Sequence, residues 1–302
     1  MVEPNPNKEI FMNRTHKIAA VSAAALLGLS LASCSAASPS KTDSATATSF
    51  GECEVTGKPG SIDISPRAAD TLTATAVLPS NGWWNGEGPE SIDGGFEYCL
   101  AANIAHRAGL KSVTVQNQSW DQLISASNTN YDIAMASITI TDERKQVFDF
   151  SAPYFQSNLG VAIRKDDDVN EANIRDKKVG VLQGNMGAQY ATDTLKPAGG
   201  VQQFQSETEM FTALQAKQVD AVITDTTLAL SNTGASNGEL VVAGQFTVDQ
   251  DYGIIMPKGT KNQEAVNTAI AEMHEDGTLD ALSEKWLTPL FGTDPNQVPI
   301  WK

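Results

Sequence analysis

Strand-like and helix-like segments alternate twice along this chain, and this alternation limits the folds available to it. The strand-like runs are residues 72–78, 113–116, 132–136, 178–182, 220–223 and 253–256, and the helix-like segments are residues 96–108, 120–127, 188–195, 207–216, 263–276 and 279–287. Strands that alternate with helices are typical of βαβ units with mainly parallel sheets. We therefore predict an α/β fold with two similar lobes, in which a ligand binds at the carboxyl ends of the strands.

The N-terminal region has the pattern of an export signal. Basic residues precede an apolar stretch, residues 18–31, that is too short to span a bilayer as a permanent helix. The stretch ends in Leu-Ala-Ser-Cys34, which resembles a bacterial lipobox, where the cysteine becomes the lipidated N-terminus. We predict a signal peptide over residues 1–33 and a lipid-anchored flexible tether, rich in Ser, Ala and Thr, over residues 34–50. A plain secretory signal or a buried apolar helix is the alternative.

Lipidation of Cys34 would hold the rest of the chain on the outer face of the plasma membrane. The chain has 36 acidic and 21 basic residues, with a formal net charge of −15 at pH 7. This charge repels nucleic acid and anionic lipid headgroups, so no nucleic-acid partner is predicted. Cys53 and Cys99 are the two remaining cysteines, and in an exported chain they can form a disulfide. Two free buried thiols are the alternative.

Residues 131–154 contain the densest group of candidate binding residues. A short apolar run, residues 132–136, is followed by Ser137 and Thr139, whose hydroxyl and backbone N–H groups can converge on an anion. Arg144 follows in a predicted capped turn, and its planar guanidinium can bind a carboxylate through two parallel hydrogen bonds. These groups together predict a carboxylate site. The alternative is a surface turn in which Arg144 pairs with a neighbouring acidic residue.

The same segment closely resembles the signature of the family 3 extracellular solute-binding proteins, which are the polar amino-acid receptors of ABC importers. The resemblance rests on Ile138-Thr139-Ile140-Thr141-Asp142-Glu143-Arg144 and on Phe150-Ser151-Ala152-Pro153-Tyr154. It extends over about residues 72–287, through further motifs at residues 94–97, 120–124, 178–184, 219–225, 252–254 and 276–279. The order and spacing of these motifs are more specific than any one of them.

The resemblance implies a two-lobed fold of the periplasmic-binding-protein-like type II class. Lobe 1 would comprise residues 51–159 and 257–302, and lobe 2 would comprise residues 160–256. Two strands, near residues 160–164 and 252–256, would form the hinge between the lobes. A ligand held in the cleft would stabilise the closed arrangement of the lobes.

The resemblance also implies roles for individual residues in a carboxylate site. Arg144 would bind the α-carboxylate of an amino acid, with Ser137 and Thr139 as additional donors. Asn185 and Met186 would offer backbone groups at a helix N-terminus, where free N–H groups favour an anion. Met186 departs from the Ser or Thr that the family often has there, so a hydroxyl contact is lost.

A second group of residues would bind the remainder of the ligand. Asp225 would accept a hydrogen bond from the α-ammonium, although as an alternative it simply caps the helix that follows it. Trp83 or Trp84 would stack on the ligand, and Trp120 is a candidate for a second wall of the site. Ordinary core packing is the alternative for each tryptophan.

Together these patterns predict a lipid-anchored, extracytoplasmic receptor that binds a free amino acid and delivers it to an ABC permease. A monomer without enzymatic activity, cofactor or metal ion is expected. One alternative is a dehydratase-like enzyme of the same fold, which would need a general acid or base in the cleft. The other is a sensory module that reports ligand binding to a membrane partner.

Overall fold

The computed structural model describes residues 50–302. The predicted signal peptide, Cys34 and nearly all of the tether lie outside the described residues. The strands are β1 (Thr71–Ala76), β2 (Ser112–Asn117), β3 (Ile133–Ala134), β4 (Phe148–Gln156), β5 (Leu159–Arg164), β6 (Val179–Leu182), β7 (Val201–Phe204), β8 (Ala221–Asp225), β9 (Leu240–Phe246), β10 (Asp251–Pro257) and β11 (Ile300–Trp301). The helices are α1 (Phe96–Arg107), α2 (Trp120–Ile124), α3 (Met186–Tyr190), α4 (Glu207–Gln215), α5 (Thr226–Gly234), α6 (Gln263–Glu275), α7 (Thr278–Trp286) and α8 (Thr288–Phe291). Within the described range, no helix is long and apolar enough to cross a membrane.

The strands form two separate sheets, one in each lobe, which confirms the predicted two-lobed α/β fold. The sheet of lobe 1 has the order β2-β1-β3-β10-β4, and the sheet of lobe 2 has the order β11-β9-β5-β8-β6-β7. In lobe 1, β1 runs parallel to β2 and β3, while β10 is antiparallel to β3 and β4. In lobe 2, β6 runs parallel to β7 and β8. The carboxyl ends of the parallel strands therefore lie at one edge of each sheet.

The chain crosses between the lobes at positions that differ from the predicted boundaries. It leaves lobe 1 between β4 and β5, at residues 157–158, and returns between β9 and β10, at residues 247–250. Strand β10 was predicted in lobe 2 but belongs to the sheet of lobe 1, where it pairs along β4. Strand β11 was predicted in lobe 1 but pairs with β9 in lobe 2. An apolar run predicts a buried strand but does not say which sheet accepts its hydrogen bonds, so the sequence could not place these two strands.

Helix α1 begins directly after Gly95, whose backbone has a positive φ and lies close to the backbone of Trp83. Gly95 has a φ of 107°, and a Cβ atom there would lie 2.4 Å from the carbonyl oxygen of Trp83. Only glycine tolerates both conditions, so the glycine sets the start of the helix against the preceding loop. Trp83 then packs edge-to-face on Phe96 and on Phe155, with ring centroids 5.5 and 5.4 Å apart. Such aromatic pairs stabilise a core beyond their buried area.

The predicted disulfide between Cys53 and Cys99 is present, with Cα atoms 5.2 Å apart. Cys99 is fully buried in α1, and Cys53 lies in the segment that precedes β1. The bond therefore ties this segment to the first helix of lobe 1. The same segment is also joined to α1 by hydrogen bonds, since the Thr56 N–H donates to Oδ1 of Asn103 at 2.9 Å.

Candidate functional site

A cavity of about 230 Å³ lies between the two lobes. Its lining comes from the carboxyl ends of five parallel strands, β1, β2, β3, β6 and β7, and the segments that follow them. Strand β8 adds its last residue, Asp225. From lobe 1 these are residues 77–80, 117–120 and 136–137, and from lobe 2 they are Leu182, Asn185, residues 205–208, Asp225 and Leu228. The strand ends of both sheets thus meet at one site, as the predicted βαβ topology requires.

Arg144 is not one of the residues that line this cavity, but it lies against Trp120, which is, and it joins the two lobes. Its Nη1 donates to the carbonyl of Thr139 in lobe 1 at 2.8 Å, and its Nη2 donates to the carbonyl of Gly184 in lobe 2 at 3.1 Å. Its guanidinium lies 5.4 Å from the ring centroid of Trp120, a distance suited to a cation–π contact. Burial lowers the pKa of Arg144, and the negative charge of Asp225 opposes this shift.

The alternative of a surface ion pair for Arg144 is not what the structure shows. Two of the neighbouring carboxylates have other partners, since Asp142 pairs with Lys145 and Asp149 pairs with Lys258, and the third, Glu143, forms no salt bridge to Arg144 in the described part of the chain. Within residues 50–302, Arg144 forms no salt bridge to an acidic side chain. A guanidinium has five N–H donors, and backbone carbonyls take only two of them here. Three donors are therefore left for a ligand.

Ser137 lies at the cavity, and a buried glutamate fixes its backbone. Its φ is 51°, in the left-handed region that serine rarely adopts. Its N–H donates to Oε1 of Glu97 at 2.8 Å, and the Tyr154 hydroxyl donates to the same carboxylate. Trp84 completes the set, with its Nε1 2.6 Å from Oε2 of Glu97. Burial raises the pKa of Glu97, and these three donors oppose that rise. The sequence motif at the start of α1 contains Glu97 but gives no sign of this supporting role.

Thr139 and Met186 do not line the cavity, although Met186 is the first residue of α3, as its predicted backbone role expects. Thr139 is buried, and its carbonyl rather than its hydroxyl takes part by holding Arg144. Met186 is half-buried and packs against the apolar core of lobe 2. Asn185 does line the cavity, but its Oδ1 accepts the N–H of Ala188 at 2.8 Å and so caps α3. The side chain of Asn185 is therefore partly committed to the helix.

Asp225 ends β8 and lines the cavity from lobe 2. The Tyr252 hydroxyl donates to its Oδ2 at 2.7 Å. Asp225 also occupies the N-cap position of α5, yet its side chain makes no capping hydrogen bond. Asp225 therefore stands at the cap position, as the alternative predicts, but its side chain does not cap the helix. Burial raises the pKa of Asp225 to about 6, although the Tyr252 hydrogen bond and the charge of Arg144 act in the opposite direction.

Trp120 is the tryptophan that lines the cavity. Its indole Nε1 donates to the carbonyl of Gln183 in lobe 2 at 3.0 Å, so its ring lies between the two lobes. Its neighbour Ile124 faces Gly184, where a Cβ atom would lie 2.7 Å from the Ile124 Cδ1. The described lobes are therefore in contact across the mouth of the cleft.

Trp83 and Trp84 do not line the main cavity, and both rings are 0% exposed. Trp83 packs among the aromatic residues of the lobe 1 core and borders a smaller adjoining cavity, and Trp84 is anchored by Glu97. Burial of these large apolar rings is favourable, which agrees with the core-packing alternative. Stacking of either ring on a ligand stays a prediction.

Sequence reasoning missed Glu207, the second acidic residue at the cavity. It begins α4 directly after the Ser206 cap, where an acidic residue is common because of the helix dipole. Its sequence context is thus that of an ordinary helix start. Only the folded arrangement shows that it lies near Asp225, whose negative charge adds to the effect of burial and raises the pKa of Glu207 to about 7.

Comparisons with known proteins agree with this architecture. The family model for bacterial extracellular solute-binding proteins, family 3, matches residues 93–289. The L-cystine-binding protein TcyJ of Escherichia coli (strain K12) is 33% identical over 205 residues, which are 66% of this chain and 75% of that protein. An ancestral arginine-binding protein bound to arginine is 32% identical, with a TM-score of 0.64 and coverage of 72% of this chain and 98% of that chain.

A further similar structure connects the fold with enzymes. It is the ancestral amino acid-binding protein AncCDT-1, a precursor of cyclohexadienyl dehydratase, with 28% identity and a TM-score of 0.63. The match covers 72% of this chain and 96% of that one. The family match, the two lobes and the relatives agree with the motifs between residues 94 and 279. The chain belongs to the bacterial extracellular solute-binding proteins of family 3.

Proposed function

We propose that this protein is a receptor that binds a free α-amino acid in the cleft between its lobes and delivers it to an ABC permease. The observation that carries the proposal is the presence of opposite charges in the two lobes, with Arg144 of lobe 1 against the cavity-lining Trp120 and Asp225 of lobe 2 in the cavity lining itself. The α-carboxylate of an amino acid would bind Arg144, and its α-ammonium would bind Asp225. A carboxylate is a stronger acceptor than a backbone carbonyl, so it would replace or join the carbonyls that Arg144 now contacts.

Such a ligand would also hold the lobes together. Arg144 and Trp120 already reach the backbone of lobe 2 at residues 183–184. A zwitterion between Arg144 and Asp225 would add a contact to each lobe and so favour the closed arrangement. The crossings at residues 157–158 and 247–250 would act as the hinge. A permease could then distinguish the loaded receptor from the empty one by its shape.

Calorimetry with purified protein and each common amino acid tests the binding proposal. Binding of one or a few free amino acids, in one site per chain, is the expected result. Uptake of the same labelled amino acid by the native host, and its loss on deletion of this protein, would test delivery. The proposal fails if no free amino acid binds, and the sensory alternative gains support if binding occurs without any change in uptake.

Asp225→Asn should weaken amino-acid binding but stabilise the empty protein. The ligand ammonium loses its charged acceptor, which we expect to lower the affinity at least 10-fold. The pKa of Asp225 is raised to about 6 in the folded protein, against about 3.9 in the unfolded chain, so the ionised form costs stability above pH 6. The free energy of unfolding at pH 7 should rise by about 1–3 kcal/mol, and this gain should disappear near pH 4.

Urea denaturation between pH 4 and pH 8 checks the stability of the variant, and calorimetry checks its affinity. The matched control is Asp142→Asn, which removes an equal charge from an exposed turn. A stability gain that did not change with pH would contradict the role of the buried charge. Wild-type affinity should fall as the pH drops below about 6, because protonated Asp225 no longer attracts the ammonium.

We propose further that Cys34 carries the lipid that anchors the receptor outside the plasma membrane. The proposal rests on the lipobox-like sequence before Cys34 and on the Ser/Ala/Thr-rich residues after it. Cys34→Ala should remove all fatty-acid labelling and leave the signal uncleaved by the lipoprotein signal peptidase. Metabolic labelling with a clickable fatty acid, followed by fractionation of the native host, measures both effects. Unlabelled wild-type protein found only in the medium would overturn the anchor but not the binding site.

A second candidate function is a dehydratase activity. Two observations favour testing it: the similarity to the dehydratase precursor AncCDT-1 and the raised pKa of two cavity carboxylates, Asp225 and Glu207. A carboxyl group with a pKa near neutral can act as a general acid. Incubation of the protein with prephenate or arogenate, and chromatography of the products, decides between the two functions. Release of water and carbon dioxide from either acid would favour the enzyme.

A further inference from the structure

Glu207 holds a second negative charge at the cavity, beyond the one that the proposed function uses. It lines the main cavity and also a smaller adjoining one of about 60 Å³, which lies between the loop after β1 and helix α5. For an amino acid whose α-groups bind near Arg144 and Asp225, this adjoining cavity is the space that its side chain would enter, and Glu207 lines it. The smaller cavity is bordered by Pro79, Ser80, Asn81, Trp83, Thr208, Leu228, Ser231 and Asn232.

No cation of the protein neutralises Glu207 within the described residues. Its one hydrogen bond there comes from Nδ2 of Asn232 at 3.3 Å, and it takes part in no salt bridge among residues 50–302. The lining of the two cavities contains no Lys, Arg or His, and its only acidic side chains are Glu207 and Asp225. Burial and the charge of Asp225 raise the pKa of Glu207 to about 7. The carboxylate therefore lacks a positive partner.

A role in building helix α4 does not account for Glu207. Ser206 supplies the cap by accepting the N–H of Glu209 at 3.2 Å, and Oε2 of Glu209 accepts the N–H of Gln205. These two residues complete the reciprocal capping arrangement. Glu207 takes no part in it. The helix dipole and the hydrogen bond from Asn232 favour a carboxylate at this position, but no positive side chain among residues 50–302 pairs with it.

The charged side chains of the site have signs that match a particular ligand. Arg144 lies beside the main cavity against Trp120, Asp225 lines the main cavity, and Glu207 lines both cavities. An α-carboxylate, an α-ammonium and a second cation would complement these one positive and two negative side chains. Leu78 and Leu228 line the main cavity and offer apolar surface for an aliphatic stem.

We infer that Glu207 selects an amino acid whose side chain carries a positive charge, with a guanidinium or ammonium at its end. This inference rests on the proposed binding of a free amino acid. With both carboxylates ionised, Arg144, Asp225 and Glu207 sum to a net charge of −1, and a ligand with a net charge of +1 neutralises it. A neutral amino acid would leave Glu207 without a cation, so its carboxyl would have to take up a proton or stay as a costly unpaired charge. Cystine has a second ammonium, but its second carboxylate would find no cation in the cavity lining.

Calorimetry with arginine and citrulline tests this role, because the two ligands have nearly the same shape and differ in charge. Wild-type protein should bind arginine or lysine at least 10-fold more tightly than citrulline. Glu207→Gln should weaken binding of the cationic ligand by about 10- to 100-fold, which is the range expected for a charge-assisted hydrogen bond. Its effect on citrulline should stay within about 2-fold. Glu264→Gln, which changes an exposed acid on helix α6 of lobe 1 that lines neither cavity, should leave both affinities unchanged.

The pH dependence gives a second readout that a merely structural role would not produce. A cationic side chain needs ionised Glu207, so the preference for arginine over citrulline should be full above about pH 7 and shrink as the pH falls below it. Asp225 also titrates, but it meets the ammonium of both ligands, so the ratio of the two affinities isolates Glu207. Arginine binding near pH 7 should release a proton, seen as a heat that depends on the buffer.

Each outcome separates this inference from the proposed function. If a neutral amino acid or cystine binds more tightly than arginine and lysine, the inference fails while the receptor function stands. If Glu207→Gln weakens all ligands equally, Glu207 is structural and the inference fails again. If no amino acid binds at all, both proposals fail together.

Discussion

Replacing Arg144 with alanine is expected to lower the affinity for the bound amino acid by about 2–5 kcal/mol. The reason is that the α-carboxylate would lose its positive partner in a largely buried site, where water compensates poorly for the missing contact. The Arg144 guanidinium is held by carbonyls of both lobes and by the face of Trp120. It is thus positioned before the ligand arrives. Calorimetry with the amino acid that wild type binds measures the loss.

Two further variants make the Arg144 result interpretable. Arg144→Lys keeps the charge but lacks the planar fork, so we expect it to recover only part of the lost affinity. Arg67→Ala removes an exposed arginine of lobe 1 that is hydrogen-bonded to Asn130, and it should bind as wild type does. Thermal unfolding of the empty proteins controls for misfolding. Unchanged affinity in a folded Arg144→Ala protein would refute the carboxylate role.

The regions that sequence predicted well are those where local and tertiary preferences agree. Helices α1, α4 and α6 begin at the predicted residues, and the side chain of Ser206 caps α4 there. The motif around Arg144 predicted a capped turn after a strand, and the Arg144 N–H does donate to Oγ1 of Thr141. The family motif that contains Asp225 predicted a strand there, and Asp225 ends the buried strand β8 at the cavity. The binding roles of both residues stay predictions.

The regions that sequence did not predict depend on long-range contacts. Whether a tryptophan pair faces a ligand or the core depends on which aromatic residues fold over it, and Phe155 and Tyr252 come from distant strands. Strand β11 lies far along the chain from its partner β9. The significance of Glu207 likewise arises only when α4 and β8 bring it near Asp225. Each of these three contacts joins residues that are not neighbours in the sequence, so no local sequence pattern predicts it.

Removal of the Cys53–Cys99 disulfide is the second change with a large expected effect. The two cysteines are 46 residues apart in sequence, and closing a loop of that size stabilises the folded state by roughly 4 kcal/mol in the chain-entropy model. The double variant Cys53→Ala/Cys99→Ala is the cleanest test, since it leaves no free thiol at either position. Urea denaturation should show a loss of about 2–4 kcal/mol in the free energy of unfolding.

The same variant should separate stability from ligand affinity. Cys99 lies two residues after Glu97, whose bonds to Ser137, Trp84 and Tyr154 do not involve the disulfide. The cavity side of α1 should therefore keep its geometry, and the affinity for the amino acid should change by less than about 3-fold. Mild reduction of wild-type protein should reproduce the loss of stability, because it opens the same loop. Alkylation of both thiols in unreduced protein would show that the bond does not form, and the stability difference should then be absent.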